Sequence, residues 1–547
     1  MSIDLPFGIA RSTSYDVLFR DFKWEVPATF NFATDVVDMW ANERDKPALI
    51  WENEDGDSAT YTFSEIAAAS RRLANVLVAN GLSKGDRILL MMPRIPEWQI
   101  AMLACFRVGA IAIPCIEMLT AGDLAYRVEN SGATAVICRS QHVEKFAGLM
   151  DRIPIRIAIG SAAGWLDYAV ETAMASDLFD PVITAAEDPV VMYYTSGSTG
   201  HPKGVLHAAR ALFSWRYAAL YWLDLEPDDR IWCTADIGWS KAGTSVLFGP
   251  WSCGSCAYFF DGPFDPADRL ERLSRHEISV YCAPATELNR LVDEPIATYD
   301  LSHLRRTISA GEPMNPAVAQ RWQAATGIEV SEAYGQTEAL MMVLNYPGMP
   351  VKIGSMGKPQ PGMDIDIIDD NGERLGANAE GHIATLMPNP QVMLRYWQNP
   401  EQTSSLFLQG PDGTWCLSGD RARKDDDNYF WFAGRADDVI TSAGYRIGPL
   451  EVENALLAHD AVLECAVVGK PNRDRGEIVK AFIVLRPGIQ PSDDLAAELQ
   501  AHAKSITAPY KYPREITFQD SLPKTITGKI RRRELRDLER QATATDT

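Results

Sequence analysis

The chain has 547 residues, 46% apolar and 23% charged, enough apolar surface for more than one core without disulfides or metal. Formal net charge is −21, which excludes a whole-domain basic footprint for nucleic acid. No run approaches 18 uninterrupted apolar residues, and residues 1–15 lack a basic stretch followed by an apolar one, so neither a membrane span nor a secretory leader is expected.

Helical and strand patterns alternate through the first two thirds of the chain. Phe63–Asn80 has helical periodicity and ends at Gly81. Arg87–Met92 is a short apolar run, and Trp98–Val108 is helical again. Ile111–Ile113, Thr134–Cys138 and Val280–Cys282 are strand candidates. The most apolar region, Ile100–Leu119, contains Arg107 and Glu117 and reads as a buried helix and strand. This alternation predicts an α/β architecture with parallel sheet. After an aromatic strand, Tyr429–Phe432, the pattern changes near Gly434–Asp438. A helix over Leu450–His459, strands over Glu464–Val468 and Val479–Leu485, a helix over Ser492–Ile506 and a strand over Glu515–Phe518 follow. We expect a large part, residues 1–436, and a compact α+β lid, residues 437–547, which is domain-sized.

Nine scattered cysteines, an odd number without a secretion signal, point to reduced thiols in a cytoplasm-like compartment. Cys253-Gly254-Ser255-Cys256 has no second pair, so it reads as a small-residue strand edge rather than a zinc site. From Lys504 to Arg540 there are ten Lys/Arg against five acids. That basic tail on an acidic chain is either a solvated helix face or a local site for a phosphate-rich ligand.

The most informative segment is Thr195-Ser196-Gly197-Ser198-Thr199-Gly200-His201-Pro202-Lys203-Gly204. It follows an apolar strand over Pro189–Tyr194 and is expected to precede a helix beginning near Val205. Four hydroxyls, three glycines and one lysine lie within ten residues. Glycine lets backbone N–H groups approach an anion, hydroxyls donate further, and Lys203 adds a point charge, which suits a polyphosphate. The chain contains neither G-x-x-x-x-G-K-[ST] nor G-x-G-x-x-G.

Thr195–Lys203 resembles the phosphate loop of the adenylate-forming superfamily, which includes acyl-CoA synthetases, luciferases and adenylation domains. Ala310–Pro313 resembles its adenine-side loop, and Tyr334-Gly335-Gln336-Thr337-Glu338 its second nucleotide motif. Leu417–Asp420 resembles the ribose motif, Gly434–Asp438 the hinge, and Pro523–Lys529 the C-terminal lysine motif. Longer stretches, Ser442–Pro449, Arg475-Gly476-Glu477 and Thr507–Arg514, resemble the medium-chain acyl-CoA synthetases. The implied fold is a large N-terminal α/β domain of the adenylate-forming type plus a small mobile C-terminal α+β domain.

The resemblance implies ATP, Mg²⁺ and coenzyme A as ligands. Thr195, Ser196, Gly197, Ser198, Thr199, Gly200 and Lys203 would hold the ATP phosphates. Gly311, Glu312, Pro313, Glu332, Ala333, Tyr334, Gly335 and Gln336 would surround the nucleotide, with Asp420 and Arg435 at the ribose. Thr337 would contact the α-phosphate, and Glu338 would hold Mg²⁺. Lys529 would stabilise the charge of the adenylation transition state. The lid would turn about Asp437 and then present Ala443, Gly444, Tyr445 and Arg446 to coenzyme A, with Arg475, Tyr512, Pro513 and Arg514. Ser418 stands where the family usually has threonine, and Glu117 where medium-chain relatives have glutamine.

Acetate-specific relatives carry tryptophan where this chain has Gly335, so an acid longer than acetate is expected: medium-chain, branched or aryl. Trp239 and His207, the latter expected on the first turn of a helix, are candidate acyl-pocket residues; each could equally be structural. With 18 residues after Lys529 no fused carrier domain is expected, which favours a diffusible thiol. Two other readings stay open. One is a ligase that loads a separate carrier protein or oxidises its adenylate. The other is a nucleotide-binding regulatory protein without catalysis, which conflicts with the presence of Lys529 and Glu338.

Overall fold

The computed structural model describes residues 14–195, 202–435, 438–442, 445–472, 475–507, 511–524 and 530–545. Four sheets organise them. The first has eight strands, in the order Arg395–Tyr396, Lys203–Ala208, Pro189–Thr195, Ile111–Cys115, Arg87–Met91, Ala135–Arg139, Ile155–Ile159 and Leu166–Asp167. From Pro189–Thr195 to Leu166–Asp167 its neighbours run parallel; the first two strands are antiparallel additions at one edge.

The second sheet has nine strands. Val330–Gln336, Arg306–Ala310, Val280–Cys282, Arg230–Cys233, Cys256–Asp261 and Pro47–Asn53 form its parallel centre. Leu340–Leu344, Lys358–Pro359 and Ser58–Thr62 flank it antiparallel. Parallel strands need crossovers, and helices such as Phe63–Ala79, Pro96–Val108 and Ala209–Tyr221 supply cover. Local chemistry sets their ends. Thr62 and Glu65 form a capping box on the first; Pro96 opens the second, and Gly109, left-handed at φ 75°, closes it. The largest core cluster joins both sheets, with Ile88, Leu90 and Val191 from one, Ile231, Phe259 and Ile308 from the other, and Leu73, Trp98, Phe106 and Trp215 from helices.

The third sheet is antiparallel: Ile365–Ile368, Glu380–Leu386, Gly413–Lys424 and Phe407–Gly410, with Phe430–Arg435 also paired to Gly413–Lys424. The alternation of the sequence did not announce it, because its strands pair antiparallel and no long helix separates them. The fourth, built from residues 440–518, has the order Tyr445–Ile447, Ile440–Ser442, Gly476–Leu485, Val462–Asn472, with Glu515–Phe518 parallel to Gly476–Leu485. Helices Pro449–Leu457 and Asp493–Ile506 pack on it around Val452, Leu456, Val467 and Leu499. This is the α+β unit expected there.

Two expectations are corrected. No helix begins at Val205. Lys203–Ala208 is a strand antiparallel to Pro189–Thr195, and the helix starts at Ala209. Val205 and Leu206 pair on their other side with Tyr396 and Arg395, so sheet hydrogen bonding on both edges overrides the helical reading of a short apolar run. The Cys253–Cys256 segment is not at a sheet edge. Cys253 caps the helix Gly249–Ser252, and Cys256 opens a strand lying between Arg230–Cys233 and Pro47–Asn53. No helix among the described residues is long and apolar enough to cross a membrane.

Candidate active site

The strand ends converge on one cavity of about 2740 Å³. Thr195 and Lys203 face each other across the hairpin whose tip is the phosphate loop. Both line the cavity, and Tyr126 holds the loop's far side by donating to Pro202 O at 2.9 Å. Ser196, Gly197, Ser198, Thr199 and Gly200 lie outside the described residues. Gly311, Glu312 and Pro313 leave the end of strand Arg306–Ala310, and Glu332 to Glu338 come from the neighbouring strand and its turn; all line the same cavity. Gly311 adopts φ 95°, a left-handed conformation that favours glycine. Glu312 accepts the Thr286 N–H at 2.6 Å.

Several cavity groups are positioned by partners far away in sequence. Tyr396 donates its hydroxyl to Glu338 Oε1 at 2.6 Å, and Lys203 Nζ stands 5.0 Å from the centre of the Tyr396 ring. The carboxylate, phenol and ammonium therefore share one wall. Tyr334 donates to Asp420 Oδ2 at 2.6 Å, and Asp420 sits opposite Arg435 on paired strands. Ser418 keeps the expected hydroxyl and accepts the Asp420 N–H at 3.1 Å. Burial, then the Asp420 charge, pushes the Tyr334 phenol far up, so it stays a donor. The hydroxyls of Ser240 and Thr337 are 3.3 Å apart.

Glu332 accepts backbone N–H groups from Met314 at 3.3 Å and Gly354 at 3.2 Å. Burial nevertheless pushes its carboxyl up to about 7. A carboxyl that keeps its proton longer when folded loses stability as pH rises from the ordinary carboxyl range to about 7. The cost approaches roughly 3 kcal/mol at most. Thermal unfolding of the ligand-free protein between pH 4.5 and 8 is expected to show that decline. Glu332→Gln should flatten this component; an unchanged pH slope in the variant would contradict the assignment.

His207 is corrected. It lies on a strand, is 0% exposed, and does not line the cavity. Its Nε2–H donates to Thr337 O at 2.8 Å, while burial lowers its pKa to about 3 and keeps it neutral. It supports the Thr337 backbone from behind. Trp239 does line the cavity, and it packs against the apolar cluster that contains Ile116 and Leu119. Gly335 also lines it, but a side chain there would run into the Leu340 carbonyl. The register shifts at Tyr334/Gly335 where this strand meets Leu340–Leu344, so the tight hairpin itself demands glycine.

The proposed coenzyme A residues stand apart from this cavity. Arg475 Nε donates to Ser442 Oγ at 3.4 Å. Arg514 donates to the Tyr512 hydroxyl at 3.3 Å, and the Arg514 and Lys504 cations flank that ring at 5.1 and 5.4 Å. None of Arg475, Tyr512, Pro513 and Arg514 lines the main cavity. Ala443, Gly444 and Asp437 lie outside the described residues; Tyr445 and Arg446 pair with Ser442 and Thr441. Glu117 is engaged by Arg139, with His142 Nε2 3.1 Å from the carboxylate.

Lys529 lies outside the described residues too. Its neighbourhood does not: Lys524 and Ile530 pair as a bridge and line the same cavity as Thr195 and Lys203. The helix Arg532–Thr545 adds Arg532 and Arg536, the latter 2.9 Å from Asp438 next to the expected hinge. Part of the basic tail therefore borders the cavity rather than forming only a solvated face. Tyr396 and Ser240 were missed from the sequence, because nothing in their local pattern marks contacts 58 and more residues away. Among the described residues no group of three or more His, Cys, Asp or Glu could hold a metal ion.

A cavity at the ends of parallel strands, lined by Thr195, Lys203 and Asp420, is the place where α/β enzymes bind their ligands. The chain belongs to the AMP-binding enzyme family, whose model matches residues 37–397, with the AMP-binding enzyme C-terminal domain matching 451–529. It is 40% identical over 546 residues to the acyl-coenzyme A synthetase ACSM3, mitochondrial, of Homo sapiens, covering 96% of this chain and 92% of that one. It is 41% identical over 533 residues to human ACSM4, covering 94% and 91%. Among solved structures, it resembles the anthranilate CoA ligase AuaEII in complex with anthranoyl-AMP at TM-score 0.86 and 29% identity, covering 95% and 99%. The benzoate CoA ligase of Burkholderia xenovorans LB400 gives TM-score 0.82 and 29% identity, covering 93% and 100%.

Proposed function

We propose that this chain is an AMP-forming acyl-CoA synthetase, converting a carboxylic acid, ATP and coenzyme A to acyl-CoA, AMP and pyrophosphate through an acyl-adenylate. One observation carries the reading: a single cavity gathers Thr195, Lys203, Thr337, Glu338, Asp420 and Arg435 together with Lys524 and Ile530, which bracket the Lys529 segment. The acid–thiol ligases among its relatives support the thiol half-reaction.

In the first half-reaction a carboxylate oxygen attacks the α-phosphate of ATP and pyrophosphate leaves. Both reactants are anions, so the chain must neutralise charge and hold them in line. Lys203 and the phosphate-loop hydroxyls grip the β- and γ-phosphates. Thr337, braced by His207 and Ser240, meets the α-phosphate. Asp420 accepts from the ribose hydroxyls, and Lys529 covers the developing charge. Mg²⁺ would neutralise phosphate oxygens here. Glu338 is the carboxylate suited to hold it, since it lines the cavity and is oriented by Tyr396. In the second half-reaction the coenzyme A sulfur attacks the adenylate carbonyl and AMP leaves.

Coenzyme A phosphates would meet Arg475, Lys504, Lys511 and Arg514. Of these only Lys511 lines the cavity, so the lid, residues 437–547, would turn about Asp437 between the two steps. The acid is longer than acetate: medium-chain, branched or aryl. Nine scattered cysteines, all buried, support a reducing compartment, which we take to be the cytoplasm.

The test is AMP release with a panel of C2 to C12, branched and aryl acids, with and without coenzyme A. At least one acid longer than acetate should give coenzyme-A-dependent AMP. AMP formation that ignores coenzyme A for every acid would favour a ligase that loads a separate carrier protein, and silence with all acids would end the reading.

A further inference from the structure

Lys241 is a cation that the reaction just described does not use. It follows Ser240, whose hydroxyl meets Thr337, so it lies one residue from the reaction centre. It lines the main cavity with Trp239, Gly311 and Gly335. Its Nζ donates to Ala310 O at 2.8 Å, at the end of the strand that leads into the Gly311 turn. No carboxylate lies within ion-pair distance of it among the described residues. An ammonium has three donors, and one is engaged by Ala310.

The cavity is open beside it. A side chain at Gly311 would meet only the Lys241 stem, at 3.9 Å, so the glycine leaves open space beside the lysine. Gly335, the other glycine of this region, also presents no side chain to the cavity. Lys241 interacts electrostatically with the Cys233 and Cys282 thiols, on adjacent parallel strands of the second sheet. They supply no carboxylate. Trp239 adds an apolar surface to the same cavity, whose polar lining includes Glu312, Thr337 and Glu338. An ammonium with unmet donors costs free energy unless a ligand or water meets it.

We propose that Lys241 reads an oxygen acceptor on the acyl group of the acid, distal to the carboxylate that is activated. The preferred acids are then oxygen-substituted, bearing a hydroxyl, a carbonyl or a second carboxylate, and not plain hydrocarbon acids. This rests on the acyl-CoA synthetase reading and narrows its substrate class. A site built to hydrogen-bond a substrate group discriminates strongly against the analogue lacking it, because its own donor is left unmet.

The experiment compares matched pairs by AMP release: benzoate with 3- and 4-hydroxybenzoate, and hexanoate with 6-hydroxyhexanoate and adipate. Wild type, Lys241→Met and Lys241→Arg are assayed, with folding followed by circular dichroism and ATP binding by calorimetry. Wild type should favour an oxygenated member of at least one pair by about 10- to 100-fold in kcat/KM, the range of one charge-assisted hydrogen bond. In Lys241→Met that ratio should collapse to within about threefold of unity, chiefly through KM, and Lys241→Arg should keep part of it. Should Lys241→Met fail to fold, Lys241→Gln, which retains a donor for Ala310, carries the same comparison. A wild-type preference for the plain acid in every pair overturns the proposal. So does a variant that loses both members of a pair equally, which is the result of a merely structural lysine. Wild type that forms no AMP with any acid fails the acyl-CoA synthetase reading itself, a different and recognisable result.

Discussion

Replacing Lys529 by alanine should lower adenylate formation by about 10³-fold while leaving thioester formation from supplied acyl-adenylate within about threefold of wild type. The magnitude follows from removing one preorganised cation from an oxygen that gains charge in the transition state. The asymmetry follows from geometry. Lys524 and Ile530, on either side of the lysine segment, line the cavity that holds Thr195 and Lys203, whereas Arg475, Tyr512 and Arg514 do not. The proposed mechanism therefore uses one lid position for the adenylate step and another for the thiol step. Pyrophosphate release and acyl-CoA formation, measured separately, decide the matter. Equal loss of both half-reactions would exclude a two-position lid.

The second large effect is expected at Asp420. Its carboxylate is oriented by the Tyr334 hydroxyl at 2.6 Å and lies opposite Arg435. Hydrogen bonds to a charged acceptor contribute about 1.5–3 kcal/mol each. Losing two ribose hydroxyl contacts in Asp420→Ala should therefore raise the Kd for ATP by about 10²-fold or more, with KM for the acid nearly unchanged. Tyr334→Phe should give a smaller rise, since it frees the carboxylate without removing it. Calorimetry on the isolated binding step separates this from catalysis. An Asp420→Ala protein that binds ATP as tightly as wild type would remove Asp420 from the ribose site.

Several residues singled out in the sequence, among them Thr195, Lys203, Gly311, Glu338 and Asp420, line one cavity. A phosphate loop works through consecutive backbone N–H groups, so its glycines and hydroxyls must be contiguous, and the run from Thr195 to Gly204 is visible as a string. Helix ends are similarly local, and the region Phe63–Ala79 ends within one residue of its sequence reading. His207 was misplaced for the opposite reason. A short apolar run has no period of its own, and pairing with Pro189–Thr195 and Arg395–Tyr396 decided its conformation.

Gly335 shows how the two sources divide the work. From sequence, its missing side chain means room for an acyl group. In the fold, the same glycine also lets Val330–Gln336 turn against the Leu340 carbonyl, a constraint no pocket argument would reveal.

The sequence by itself determined the chemistry: the residue types, their order and the family they place the chain in. It could do so because anion-binding loops and helix caps are built from neighbours along the chain. Only the tertiary structure decided that Tyr396 holds Glu338, that His207 backs Thr337, and that Lys241 opens on the cavity. Those relations join residues 58 to 130 positions apart, and packing sets them through contacts that leave no periodic trace in the sequence.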